Sequence, residues 1–232
     1  MLVTGGSNGI GRATIERLLE DGYDVINLDI ARPTHVLPGE TYVEADLANP
    51  DSLREALLKA TSGRHITRLV NNAGIVRPAA IDVVTASDLQ AVVAVNLTAV
   101  ITCVQAVLPA MREAKFGRIV NISSRAALGK SERIAYSATK AGLHGLTRTL
   151  ALELAAECVT VNAIGPGPIA TELFQRVNPA GAPATTRIVD AIPVRRMGEP
   201  AEVAHMVSGL LDARAGFTTG QVIYVCGGMT VG

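Results

Sequence analysis

Residues 2–11 read Leu2-Val3-Thr4-Gly5-Gly6-Ser7-Asn8-Gly9-Ile10-Gly11, a short apolar run, then a glycine-rich turn that opens into a helix-period segment from Ile10 to Glu20. Glycines at 5, 9 and 11 let the backbone come close to a ligand. The amides at the start of the following helix face an anion, with the helix dipole behind them. Strand, glycine turn and helix in that order start a βαβ unit, and such a turn cradles the pyrophosphate of a dinucleotide. The cradle is expected to use Gly5, Ser7, Asn8, Gly9, Ile10 and Gly11.

Outward from this turn, strand-length apolar runs alternate with helix-period segments. The runs are Leu2 to Thr4, Val25 to Leu28, Tyr42 to Val43, Leu69 to Val70, Ile119 to Ile122, Val159 to Ile164 and Val222 to Val225. Helices are expected over Ile10 to Glu20, Pro50 to Ala60, Ala86 to Glu113, Ile134 to Ala156 and Pro200 to Leu211. Strands apolar on both faces belong to a parallel sheet covered on both sides. The expectation is an α/β fold with a doubly wound parallel sheet of the Rossmann type, three layers deep, in one domain over 1–232. Pro and Gly cluster in one long stretch, 165–198, read as a substrate-covering loop.

Composition narrows the partners. The chain has 232 residues, 48% hydrophobic and 18% charged, with 21 Lys plus Arg against 21 Asp plus Glu. This balance offers no positive field for nucleic acid or an anionic membrane. No uninterrupted apolar run reaches membrane-spanning length and no signal-like segment leads the chain, so a cytoplasmic protein is expected. Cys103, Cys158 and Cys226 are far apart, and the four histidines are scattered, so no metal is expected.

The second strand ends at Asp29, eighteen residues after Gly11. A carboxylate there can accept from both ribose hydroxyls of an adenosine and would repel a 2′-phosphate, which favours NAD over NADP. Arg32 lies near enough to complicate that choice. Asp46-Leu47 ends the next strand and either brackets the adenine or caps a helix.

Tyr136 and Lys140 stand four apart in a helix and share one face. A free phenol titrates near 10. An ammonium and a positive nicotinamide ring beside it would pull that value down, making Tyr136 an acid/base for an alcohol or ketone. Ser123 closes a strand thirteen residues earlier and could donate to the substrate oxygen. Asn71-Asn72-Ala73-Gly74 closes another strand and could flank the nicotinamide ribose. Asn96 interrupts a very apolar helix, where a buried amide must be satisfied, either by a water relaying protons to Lys140 or by neighbouring backbone.

Together these residues resemble the short-chain dehydrogenase/reductase family, over essentially the whole chain. Thr4 to Gly11 is similar to its glycine motif, Asn71 to Gly74 to its Asn-Asn-Ala-Gly motif, and Asn96, Ser123, Tyr136 and Lys140 to its catalytic tetrad. The resemblance implies a hydride-transferring oxidoreductase of secondary alcohols and ketones, with Lys140 also binding the nicotinamide ribose. It further implies Pro166 and Gly167 beside the nicotinamide, Ile169 and Thr171 at its carboxamide, and a homotetramer. A 3-oxoacyl-[acyl-carrier-protein] reductase branch is also similar; it would use NADPH and meet an acidic carrier through Arg125, Lys130 and Arg133. A non-catalytic dinucleotide sensor would be expected to lack Tyr or Lys of the tetrad, and both are present. Two departures stand out: a first strand only a few residues long, and no room for a helix between Asp29 and Tyr42.

Overall fold

The computed structural model describes residues 1–177, 179 and 181–231, with the backbone alone at Leu173, Arg176 and Val177. Seven strands form one sheet: β1 (Leu2–Thr4), β2 (Val25–Asp29), β3 (Glu40–Glu44), β4 (Arg68–Asn71), β5 (Gly117–Ile122), β6 (Val159–Pro166) and β7 (Val222–Val225). Every pairing is parallel, in the order β3-β2-β1-β4-β5-β6-β7. The chain winds outward from β1 in one direction and from β4 in the other. That reversal leaves a crevice at the carboxyl ends of β1 and β4, where such sheets bind ligands.

The helices are α1 (Gly9–Glu20), α2 (Pro50–Thr61), α3 (Ala86–Val93), α4 (Ala99–Glu113), α5 (Ile134–Leu154), α6 (Glu172–Val177), α7 (Pro183–Asp190) and α8 (Pro200–Leu211). Alternation along the strands splits the core into two layers. Leu2 packs with Leu53, Val104, Met111 and Leu154 on one face. Its neighbour Val3 packs with Ile15, Leu18, Val203 and Val207 on the other. Each such side chain, removed from water, contributes about 1.5–3 kcal/mol. Start signals agree with the element ends: Asn49 accepts from the amides of Asp51 and Ser52 with Pro50 next, and Thr85 with Asp88 forms a capping box.

Three features differ from the sequence expectation. The single helix foreseen over Ala86 to Glu113 contains a π-helical turn, Ala94–Thr98, between α3 and α4. That helix is also long and apolar enough to cross a membrane, which the count of uninterrupted apolar residues did not show. Here Val92, Val100, Cys103, Val104, Val107 and Met111 are buried in the protein core. The stretch 165–198 is not one irregular loop but holds α6 and α7. Both are short, and their starts are local: Thr171 Oγ1 accepts from the Phe174 amide, and Pro183 opens α7.

The two departures noted above are present: β1 has three residues, and the chain from β2 to β3 contains no helix. Polar groups fill the space instead. Glu40, its side chain fully buried, meets Arg12 of α1 at 2.9 Å.

Candidate active site

At the crevice lies a cleft of about 620 Å³ walled by the glycine turn, Asp29, Asp46 and the residues after β4. The turn is built to have nothing in the way of an approaching backbone or phosphate. Gly5 and Gly9 have φ of 66° and 55°, where a side chain is strained. A Cβ on Gly11 would stand 2.0 Å from the Gly5 carbonyl oxygen. Asn72 keeps the turn in place, its Nδ2 donating to the Thr4 and Gly5 carbonyls at 3.0 and 2.7 Å. The cradle, the helix start behind it and the carboxylate at the end of β2 fit a dinucleotide.

Of the expected cofactor residues, Gly5, Asn8, Gly9, Ile10, Gly11, Asp29, Asp46, Leu47, Asn72, Ala73, Gly74 and Thr171 line this cleft. Ser7 is buried beneath it: its hydroxyl donates to the Ala31 carbonyl and its amide to Asp29 Oδ2. Ala31 donates to the other Asp29 oxygen at 3.0 Å, so the carboxylate is held from both sides. Asp46 is not the cap of α2, a part played by Asn49; its Oδ1 accepts from the Ala48 amide in a tight turn. Pro166, Gly167 and Ile169 lie outside the large cleft. Gly167 packs on Cys226, and Ile169 borders a second cavity of about 150 Å³. Sequence reasoning missed Ile30, Ile75 and Val95 as cleft walls. Ile30, directly after Asp29 and 65% exposed, could have been found as an apolar residue with nowhere else to pack.

The catalytic candidates gather where β5 meets α5. Lys140 is buried, and its Nζ donates to the Ile122 carbonyl at 2.7 Å. Burial lowers its pKa to about 8. Gly74 leaves room beside it, since a Cβ there would be 3.2 Å from Nζ, closer than most Cβ contacts. The ammonium lies 5.6 Å from the centre of the Tyr136 ring. Burial pushes the Tyr136 phenol up, while a hydrogen bond from Ser124 and the charge of Arg133 pull it down. The expected downward pull of Lys140 on Tyr136 is therefore not what dominates here: the lysine is itself desolvated and turned onto Ile122.

One tetrad position needs correction, and one alternative for Asn96 is met. Ser123 does not face Tyr136; its hydroxyl donates to the Lys140 carbonyl at 2.9 Å and meets His144 Nε2 at 2.8 Å. The hydroxyl beside Tyr136 belongs to Ser124. Side chains alternate at the end of β5, so one residue along the chain reverses the face. Ser124 accepts from the Ala126 amide, which leaves its O–H to donate. Asn96 is fully buried, and its amide is committed: Oδ1 accepts from the Ile75 amide, and Nδ2 donates to the Ile75 carbonyl and Thr139 Oγ1. Both Nδ2 hydrogens are thus used in tying the Gly74–Ile75 loop to α5.

The cations foreseen at the substrate mouth are partly engaged. Arg125 donates to the Met229 carbonyl and Arg133 to that of Glu132. Among the described residues no group of three or more His, Cys, Asp or Glu could hold a metal.

Residues 5–230 match the family described as Enoyl-(Acyl carrier protein) reductase. A 3-oxoacyl-[acyl-carrier-protein] reductase of Synechocystis sp. is 40% identical over 245 residues, covering 99% of this chain and 96% of that protein. An acetoacetyl-CoA reductase of Shinella zoogloeoides is 40% identical over 234 residues, covering 98% and 96%. Among solved structures, ElxO with NADP bound superposes with a TM-score of 0.92 at 27% identity, covering 100% of this chain and 98% of that one.

Proposed function

Since this chain belongs to the short-chain dehydrogenase/reductase family and is an oxidoreductase of hydroxyl and keto groups, we propose that it works with NAD(H) on a secondary alcohol or ketone. The observation that carries the cofactor choice is the lining of the cleft. Asp29 and Asp46 stand in it, and no Lys, Arg or His is among its described lining residues. A 2′-phosphate brought to Asp29 would meet a carboxylate; Arg32, whose charge reaches Tyr42 beside Asp29, does not line the cleft. The Asp29 oxygens, each holding one backbone amide, keep lone pairs for two ribose hydroxyls.

When bound, the nicotinamide would supply or accept the hydride. This chain's residues handle the proton. Tyr136 donates it to a ketone oxygen or takes it from an alcohol. Ser124 donates a hydrogen bond to the same oxygen as negative charge grows there. Lys140, held on the Ile122 carbonyl, would offer its charge to the ribose side, and Asn96 holds the loop that faces Lys140. The assembly proposed is a cytoplasmic homotetramer, on the strength of the family alone.

A second reading, an NADPH-dependent reductase of 3-oxoacyl thioesters, is favoured by what the relatives are named for. Burial, and after it the charges of Arg133 and Arg125, lower the Lys130 pKa, and the three cations make a patch suited to an acidic carrier. Fluorescence titration with NADH and NADPH, followed by a screen of ketones, alcohols and 3-oxoacyl thioesters at 340 nm, separates the two. Tighter NADH binding with turnover supports the first; tighter NADPH binding with turnover of thioesters overturns it in favour of the second.

A further inference from the structure

Beneath the glycine turn, in the space left where no helix joins β2 to β3, five polar groups form one connected chain. Glu40 opens β3, and all four of its contacts are donors. Oε1 accepts from Arg12 Nη1 at 3.1 Å and Asn27 Nδ2 at 2.9 Å; Oε2 accepts from Arg12 Nη1 at 2.9 Å and the Leu37 amide at 3.0 Å. Asn27, fully buried in β2, uses its other end on the turn: Oδ1 accepts from the Gly6 amide at 3.0 Å. Its Nδ2 also reaches Ser7 Oγ at 3.3 Å, and Ser7 in turn donates its amide to Asp29. Space agrees with the bonding, since a Cβ on Gly6 would stand 2.6 Å from Asn27 Oδ1.

An amide side chain has a donor end and an acceptor end, and nothing within Asn27 decides which faces where. The neighbours decide it. A carboxylate only accepts, so the NH2 must face Glu40; a backbone amide only donates, so the carbonyl must face Gly6. We propose that Glu40, held by Arg12, is a positioning residue for the cofactor: it orients Asn27, and Asn27 sets the Gly5–Ser7 turn and the Asp29 carboxylate. The proposal rests on the cofactor reading above and adds to it residues that lie outside the cleft.

A glutamine at 40 has one carbonyl oxygen where donors face both positions, so its NH2 opposes either Asn27 Nδ2 or the Leu37 amide, and either way the hold on Asn27 and on the Gly6 amide is loosened. Glu40→Gln should weaken NADH binding about tenfold and speed deuterium exchange at the Gly6 amide. Asn27→Ala cuts the link while leaving Glu40 paired with Arg12, and should lose as much. In the double variant Asn27→Asp with Glu40→Gln, donor and acceptor are exchanged between the two side chains. The chain is continuous again, and NADH binding should return to within about threefold of the wild type.

The measurements are NADH and NADPH titrations of the full-length protein by fluorescence, hydrogen exchange at Gly6, and a melting curve for each variant. Wild-type NADH affinity in either Glu40→Gln or Asn27→Ala overturns the proposal, as does a folded double variant that recovers nothing. If Glu40→Gln does not fold, Asn27→Ala and the double variant decide alone. A wild type that prefers NADPH would instead refute the cofactor reading, and the same variants would then be compared with NADPH.

Discussion

Replacing Lys140 with methionine should stabilise the protein while stopping its chemistry. The lysine is enclosed, and burial takes its pKa from 10.5 to about 8. That drop corresponds to about 3 kcal/mol spent on keeping a desolvated ammonium at neutral pH. Methionine has similar volume and no charge, but it abandons the bond from Nζ to the Ile122 carbonyl, a loss of about 1 kcal/mol. The variant should therefore be more stable by about 2 kcal/mol at pH 7, which raises the melting temperature by roughly 4–8 °C in a chain of this size. The pH dependence has a definite sign. The folded-state pKa lies below the unfolded value, so the wild-type penalty is complete below pH 8 and is relieved between about pH 8 and 10.5. The advantage of Lys140→Met should shrink across that window and reverse by its upper end. Urea unfolding followed by circular dichroism at pH 7 and pH 10, at equal protein concentration, reads the difference directly. A variant less stable at pH 7, or a difference that does not change with pH, would refute the account of Lys140 as a desolvated cation.

Tyr136→Phe should lower turnover by about a thousandfold and leave NADH affinity within about threefold, as judged by initial rates and fluorescence titration; retained turnover would remove Tyr136 from the proton path. The two serines should separate: Ser124→Ala is expected to lower kcat about a hundredfold, and Ser123→Ala less than tenfold, the opposite order restoring Ser123 to the substrate side. Gly11→Ala places a Cβ 2.0 Å from the Gly5 carbonyl oxygen and 2.5 Å from Asn72 Nδ2, a side chain itself tied to the Thr4 and Gly5 carbonyls. It should cost about 3 kcal/mol in urea unfolding and abolish NADH binding, and an unaltered Kd would show the turn to be softer than its geometry. Because burial raises the Tyr136 pKa, the phenol stays protonated at neutral pH. Ketone reduction should then hold steady through neutral pH while alcohol oxidation climbs as pH rises, and a reduction rate that climbs instead would contradict it.

What the amino-acid order determined by itself is what depends on near neighbours in the chain. Runs apolar on both faces specify a parallel sheet, glycines at 5, 9 and 11 specify a turn open to phosphate, and a spacing of four puts Tyr136 and Lys140 on one helical face. Asp29 was legible because a strand end has one position facing the crevice. The tertiary structure decided what depends on packing between distant segments. Ser123 and Ser124 are chemically identical, and only the register of β5 against α5 turns one toward His144 and the other toward Tyr136. Asn96 advertised a buried amide, but its partners Ile75 and Thr139 lie 21 and 43 residues away. Glu40 looks in sequence like any charged residue at the start of a strand; its burial against Arg12, 28 residues away, is set by the packing of α1 on the sheet. Whether an ionisable group sits in water or in protein is set by the whole fold, and so are its pKa and its chemistry.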